Sequence, residues 1–172
     1  MTELGLPPVP PRSLPGRALF SFAHGLAIVG GVLIALIVAM VVVSIFGRSL
    51  LSMPVYGDFE LISIGTAIAV VLFLPHCHLQ RGNVIVDLFL ARAPEAVKLL
   101  CDAFASLLLG TMAGVLAWRS VLGGIDLYHS HDTSMILAIP VWWAFPFVAL
   151  SLALLALCCL YTALRDTRRL FA

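Results

Sequence analysis

The chain has 172 residues, 62% of them hydrophobic and 11% charged, with a formal net charge of +1. Soluble domains carry about a quarter charged residues, so a soluble catalytic domain is excluded and nothing marks a nucleic-acid partner. The apolar residues gather into four uncharged runs, Ala18–Gly47, Leu61–Gln80, Ala103–Trp118 and Thr133–Leu164.

A hydrocarbon core about 30 Å thick takes roughly 20 apolar residues of helix. The runs therefore predict an all-α integral membrane protein with four transmembrane helices, near residues 20–46, 61–79, 97–118 and 134–163. Lipid offers backbone groups no water, which rules out an open sheet and makes a helix bundle the expected form. This membrane domain, 18–164, lies between a proline-rich tail, 1–17, and a basic tail, 165–172.

The first tail holds Pro7, Pro8, Pro10, Pro11 and Pro15. It reads as an extended polyproline-like segment, with a PxxP ligand as the second reading. Glu3, the prolines and the long apolar run that follows do not fit a cleaved signal. Span 1 carries Ala23, Ala27, Gly31, Ala35 and Ala39, small residues at every fourth position. Such a ladder predicts a flat face for close helix approach, which makes Ala27, Gly31 and Ala35 candidate interface residues.

After span 1 come Arg48, Pro54, Tyr56 and Gly57, and then Asp58 and Glu60 just before span 2. For Glu60 the reading is an interface position or a carboxylate stabilising the N-terminus of its own helix. Span 2 ends at His76, Cys77 and His78, followed by Gln80-Arg81-Gly82-Asn83. The apolar stretch from Val84 to Ala91, with Asp87 inside it and Arg92 after it, is too short to cross a bilayer as a helix. It is expected to lie along the membrane surface, Asp87 among the headgroups; an irregular loop is the alternative. Pro94 and Glu95 then suit the first turn of a helix leading into span 3.

Span 3 carries Ser106, Gly110 and Gly114, again four apart, and Arg119 to Asp132 reads as the third loop. Span 4 is expected to open with Asp132-Thr133-Ser134 as helix-capping residues. Ile139-Pro140-Val141-Trp142-Trp143 follows one or two turns in, Pro140 and Pro146 kinking the entry and the tryptophans lying at the interface. With four spans, both tails and the middle connection share one side and hold eight of the ten positive residues. The positive-inside rule makes that side cytoplasmic.

No charged residue lies deep inside any of the four runs, where ion pathways normally need ionisable groups, and phosphate-loop and His-Glu-x-x-His motifs are missing. The cysteines, Cys77, Cys101, Cys158 and Cys159, match no zinc spacing and face a reducing compartment. No catalytic residue, metal or cofactor is assigned. A haem held by His24 with His76 or His78 is the alternative, in a membrane anchor of a respiratory enzyme. The balance favours a scaffold subunit.

Several elements together carry a family resemblance. They are Gly57-x-x-Glu60 opening span 2, Phe73-Leu74-Pro75 near its end, Arg81-Gly82-Asn83-Val84-Ile85-Val86-Asp87 after it, and Thr133-Ser134 with Ile139-Pro140-x-Trp142-Trp143 at span 4. In this order, over residues 20–165, the chain resembles the small membrane subunit (DctQ-like) of tripartite ATP-independent periplasmic (TRAP) transporters. Asn83 departs from it, since relatives often carry histidine there, and the proline-rich tail and the Cys158–Cys159 pair are also unlike it. The resemblance implies a large multi-span transport subunit, a periplasmic substrate-binding protein and membrane lipids as partners. It also implies sodium-coupled organic acid uptake across a bacterial inner membrane. Carried onto this chain, Glu60, Asp87, Pro140, Trp142 and Trp143 become structural or subunit-interface positions, alongside Gly110 and Gly114.

Overall fold

The computed structural model describes residues 14–51, 57–80 and 95–170. The proline-rich stretch 1–13 and the expected surface segment with Asp87 lie outside the described residues. The described residues form four α-helices in order: α1 (Leu14–Leu51), α2 (Asp58–Leu79), α3 (Glu95–Ser130) and α4 (Phe145–Leu170), the last preceded by a 3-10 turn at Val141–Ala144. Each is long and apolar enough to cross a membrane.

The helices form an open layer in the order α1, α2, α4, α3 rather than a closed bundle. Closing a core is a requirement of water; in lipid the tails solvate an apolar face as well as leucine does. The α1–α2 pair is antiparallel, with Gly30 against Ala69 and Leu72, Gly65 against Ile37, and Ser44 beside Asp58. Along α1 the contact positions are Ala23, Gly30, Ile37 and Ser44, seven residues apart, which is the repeat of a left-handed helix seam.

The four-residue ladder behaves differently. Ala23 is buried, Ala27 and Gly31 are half-buried, and Ala35 and Ala39 are exposed. At 3.6 residues per turn each step of four overshoots a full turn by about 40°, so the ladder winds off the contact face. The ladder is not the face that packs on α2; Gly30 rather than Gly31 makes that close approach.

Two ties hold α4 to its neighbours. Pro75 is buried within α2 and has no N–H to give to the carbonyl of Val71, four residues back. The Oγ of fully buried Ser151 on α4 donates to that carbonyl at 2.7 Å. A proline break inside an apolar span is thus repaired by a neighbouring helix, as lipid demands. Ser151→Ala should cost about 1 kcal/mol in a denaturation series. In a Pro75→Ala background, where an amide four residues on restores the acceptor's partner, the loss should shrink; an equal loss in both backgrounds would contradict the pairing.

On the other side α3 packs on α4. Ala113 and Ala117 meet Leu152, Leu155 and Cys159, with Val71 at the edge of the cluster. A Cβ on Gly110 would stand 2.9 Å from that of Cys159, and one on Gly124 would stand 2.9 Å from that of Phe145. Gly123-Gly124 therefore does not end the helix; glycine lets α3 lie close along α4. The third helix accordingly runs past Trp118 to Ser130, and Arg119 and Asp126 are helical residues instead of loop residues. Cys158 fills the junction of Ala23 and Leu79, so the vicinal cysteines serve as small packing side chains.

Candidate functional site

The polar chemistry of the described residues concentrates at the end of the layer where α2 starts. Gly57 precedes the helix with φ 79°, a left-handed conformation natural to glycine. Its carbonyl accepts from the N–H groups of Glu60 and Leu61 at 3.1 and 3.2 Å. A Cβ on Gly57 would also lie 2.7 and 2.8 Å from Cδ1 and Cδ2 of Leu137. Glycine is required here twice over, once by the backbone and once by the neighbour.

Asp58 ties α1 to α2. Its Oδ2 accepts from Ser44 Oγ at 2.6 Å, its Oδ1 accepts from the Phe59 N–H at 2.8 Å, and Arg48 stands 3.9 Å away. One residue past Phe59, the Glu60 side chain leaves its own helix and reaches the segment before α4. Its Oε2 accepts from Ser134 Oγ at 2.7 Å and from the Leu137 N–H at 3.1 Å, and its Oε1 from the Ile136 N–H at 2.9 Å. Charge pairing at its own helix N-terminus does not describe this geometry. Glu60 is the acceptor around which a turn is wrapped.

The turn has its own closure. Thr133 bridges Pro140, the Ser134 N–H donates to the Ile139 carbonyl at 2.9 Å, and the Val141 N–H donates to Asp132 at 3.3 Å. Ser134 Oγ, while donating to Glu60, accepts from the Ile139 N–H at 3.3 Å. His131 and Ala138 take left-handed backbone angles, φ 54° and 52°. Successive amides turned toward one carboxylate make a backbone nest for an anion, and here the anion is the chain's own.

This arrangement replaces the helix start expected at Asp132-Thr133-Ser134. Pro140 holds its predecessor out of helical conformation, so regular helix begins only beyond it, as the 3-10 turn and then α4. Trp142 packs edge-on against Tyr128 of α3, ring centroids 5.3 Å apart. Trp143 is 61% exposed and turned outward, a placement suited to the membrane–water interface. Pro140, Trp142 and Glu60 thus belong to one unit joining α2, α3 and α4.

The small-residue candidates lie elsewhere. A Cβ on Gly31 or on Gly114 would meet nothing within 4 Å, whereas Gly110 is committed to Cys159. Gly114 borders an apolar groove of about 610 Å³ between α3 and α4, lined by Leu107, Thr111, Trp118, Ala149 and Ala153 among others.

At the opposite end His24 of α1 and His76 of α2 face each other with ring centroids 5.3 Å apart, and Phe20 completes the cluster at 5.8 Å from His76. The Nε2 atoms of His76 and Gln80 are 3.4 Å apart. Two axial ligands of a haem stand on opposite faces of a porphyrin; these rings lie against each other. The respiratory-anchor alternative is not favoured.

Comparison with known proteins decides the family. The model of the DctQ component of tripartite ATP-independent periplasmic transporters matches residues 37–169. The chain belongs to the DctQ family. No curated protein and no solved structure matches it. The DctQ match takes in Glu60, Gly110, Gly114, Pro140, Trp142, Trp143 and Asp87, and leaves outside it Ala27, Gly31 and Ala35 of the first helix. As a DctQ component this is a multi-pass inner-membrane protein and the small membrane subunit of a TRAP transporter, a family of transporter components and not of enzymes. Tripartite systems of this kind also have a large membrane subunit and a periplasmic binding protein.

Proposed function

We propose that this chain is the static brace of its transporter: it holds a large multi-span transport subunit in the bilayer and does not itself bind substrate. The observation that carries the proposal is the Glu60 junction. The backbone nest before α4 is filled by the chain's own carboxylate, so this anion-binding geometry serves to fix the angle between α2 and α4. A layer four helices wide, locked at one end and open on both faces, suits a rigid extension of a partner's scaffold. In this reading membrane lipids are direct partners.

Both termini are placed in the cytoplasm. Eight of the ten positive residues lie on that side, and Arg119, now within α3, no longer counts for the other side, which is left with Arg48 alone. The Glu60 junction and Trp143 then face the periplasm, on the side from which a binding protein delivers its organic acid. Import is driven by a sodium gradient.

Gly31→Leu is expected to leave the thermal stability of the isolated chain unchanged, because the new side chain enters open space, and to lower recovery of the large subunit several-fold. Full recovery would take the Ala27–Gly31–Ala35 face out of the interface. The function itself is tested in the host with radiolabelled dicarboxylates, keto acids, sugar acids and sialic acids. Deleting this chain should abolish sodium-dependent uptake of at least one of them, and re-expression should restore it. Uptake of the whole panel untouched by the deletion would refute the proposal.

A further inference from the structure

Arg119 and Asp126 stand in a stretch expected to be a loop, which the structure makes part of α3. Depth along the layer follows from the contacts between helices. Gly110 lies level with Cys159 and Gly124 with Phe145, which sets Arg119 level with Leu150 of α4. The neighbouring Ser151 is bonded to Val71, so the same level falls at Val70 of α2. On α1 the corresponding stretch is Gly30 to Val32, since Gly30 touches Ala69 and Leu72. Val70 is the middle of the uncharged run Leu61–Gln80, and Val32 is the middle of Ala18–Gly47. Two other spans thus agree that Arg119 sits near the bilayer midplane, about 15 Å from either headgroup region.

The side chain is nonetheless exposed. Arg119 and Asp126 make no hydrogen bond or ion pair with any described residue. Seven residues apart, they share one face of α3 but are separated by about 10 Å along it, too far to neutralise each other. Leu108, Met112, Val115, Arg119, Leu122 and Asp126, all exposed, follow one another at alternating steps of four and three, the seam of a helix that packs against another helix. This seam is distinct from the α4-facing side, where Ala113 and Ala117 are buried. Snorkelling serves basic residues near helix ends; at the centre an ionisable group pairs or lines a polar path.

The geometry points to this seam as the docking face for a membrane helix of a different protein, one that carries a carboxylate at the depth of Arg119 and a hydrogen-bond donor or cation about two turns nearer the Glu60 end. A second copy of this chain is the wrong occupant. Copies inserted the same way and related by an axis along the bilayer normal bring each residue to its own depth, so Arg119 would meet Arg119 and Asp126 would meet Asp126. The charges call for a heterologous partner, and within the proposed brace function that partner is the large transport subunit; the inference rests on that reading.

The test is affinity purification of tagged chain from host membranes in mild detergent, comparing wild type with Arg119→Leu, Arg119→Lys and Arg119→Glu. The leucine variant removes a charge from the midplane, so its insertion and its own abundance should be at least as good as wild type. It should nevertheless recover at least roughly tenfold less large subunit. The glutamate variant should recover least, and lysine should retain a substantial part because it keeps the charge. Replacing the facing carboxylate of the large subunit by lysine should restore binding to the glutamate variant. Equal recovery by wild type, leucine and glutamate variants would overturn the inference and leave the guanidinium to water or lipid. So would a change confined to the size of the chain's own oligomer. If the wild type retains no larger membrane protein, the brace reading itself fails, an outcome separate from a loss specific to the variants.

Discussion

Replacing Glu60 by alanine is expected to release the 132–140 turn from α2 and to loosen the junction of three helices. The substitution removes the acceptor for Ser134 Oγ and for the Ile136 and Leu137 N–H groups at once. Those donors have nowhere equivalent to turn, because Ser134 and Ile139 already satisfy each other within the hairpin. Losing one partner of a charge-assisted set is more damaging than never having made it. Limited proteolysis of membrane vesicles open on the Glu60 side reads the effect directly. Cleavage between Asp132 and Val141 should rise roughly tenfold or more as the turn samples open states. Glu60→Gln, which keeps an oxygen acceptor but loses the charge and brings an amide toward the N–H groups, should fall between alanine and wild type. An unchanged cleavage rate in the alanine variant would mean that the backbone bridge from Thr133 to Pro140 holds the turn alone.

Gly57→Val should be comparably severe for a different reason. A β-branched residue at φ 79° is strained in any surroundings, and here its Cβ is also directed into Leu137. Backbone strain and overpacking together predict a loss of roughly 3 kcal/mol, seen as a lowered unfolding midpoint of the purified chain. The two contributions separate in a double-mutant cycle. In a Leu137→Ala background the steric part should vanish while the backbone part stays, so the valine should cost less there. A full and equal loss in both backgrounds would remove Leu137 from the account.

These two substitutions touch the part of the molecule that was half legible in the sequence. Gly57-x-x-Glu60 and Thr133-Ser134 with Ile139-Pro140 stand out as separate elements, and the helix count follows from the length of the apolar runs. That they form one unit was not legible, because Glu60 and Ser134 are 74 positions apart and only the packing of α2 beside α4 brings them together. The extent of the third helix is not legible in the sequence for a related reason. Arg119 reads as a membrane boundary when charge alone is counted, yet nothing between Trp118 and Ser130 breaks a helix, and the glycine pair there is matched by Phe145 on α4. The small-residue ladder does not mark the contact with α2. Its spacing of four is regular in sequence but drifts around a helix of 3.6 residues per turn, while the seam with α2, Ala23–Gly30–Ile37–Ser44, mixes residue sizes and leaves no sequence signature. The link between Pro75 and Ser151 left a readable trace, since a proline within a span always frees a carbonyl that a polar residue elsewhere must serve.

The ties at Asp58, Glu60 and Ser151 hold the chain's own helices at fixed angles, while Arg119 and Asp126 on the outward seam of α3 have no hydrogen-bond or ion-pair partner among the described residues. That is the economy of a support rather than of a carrier. Its most direct test is affinity purification of the wild-type chain from its own host in mild detergent, with native mass spectrometry of what is retained. The account predicts a stoichiometric complex with one much larger multi-span membrane protein. Recovery of the chain alone, as a self-assembly, or with redox subunits would contradict it.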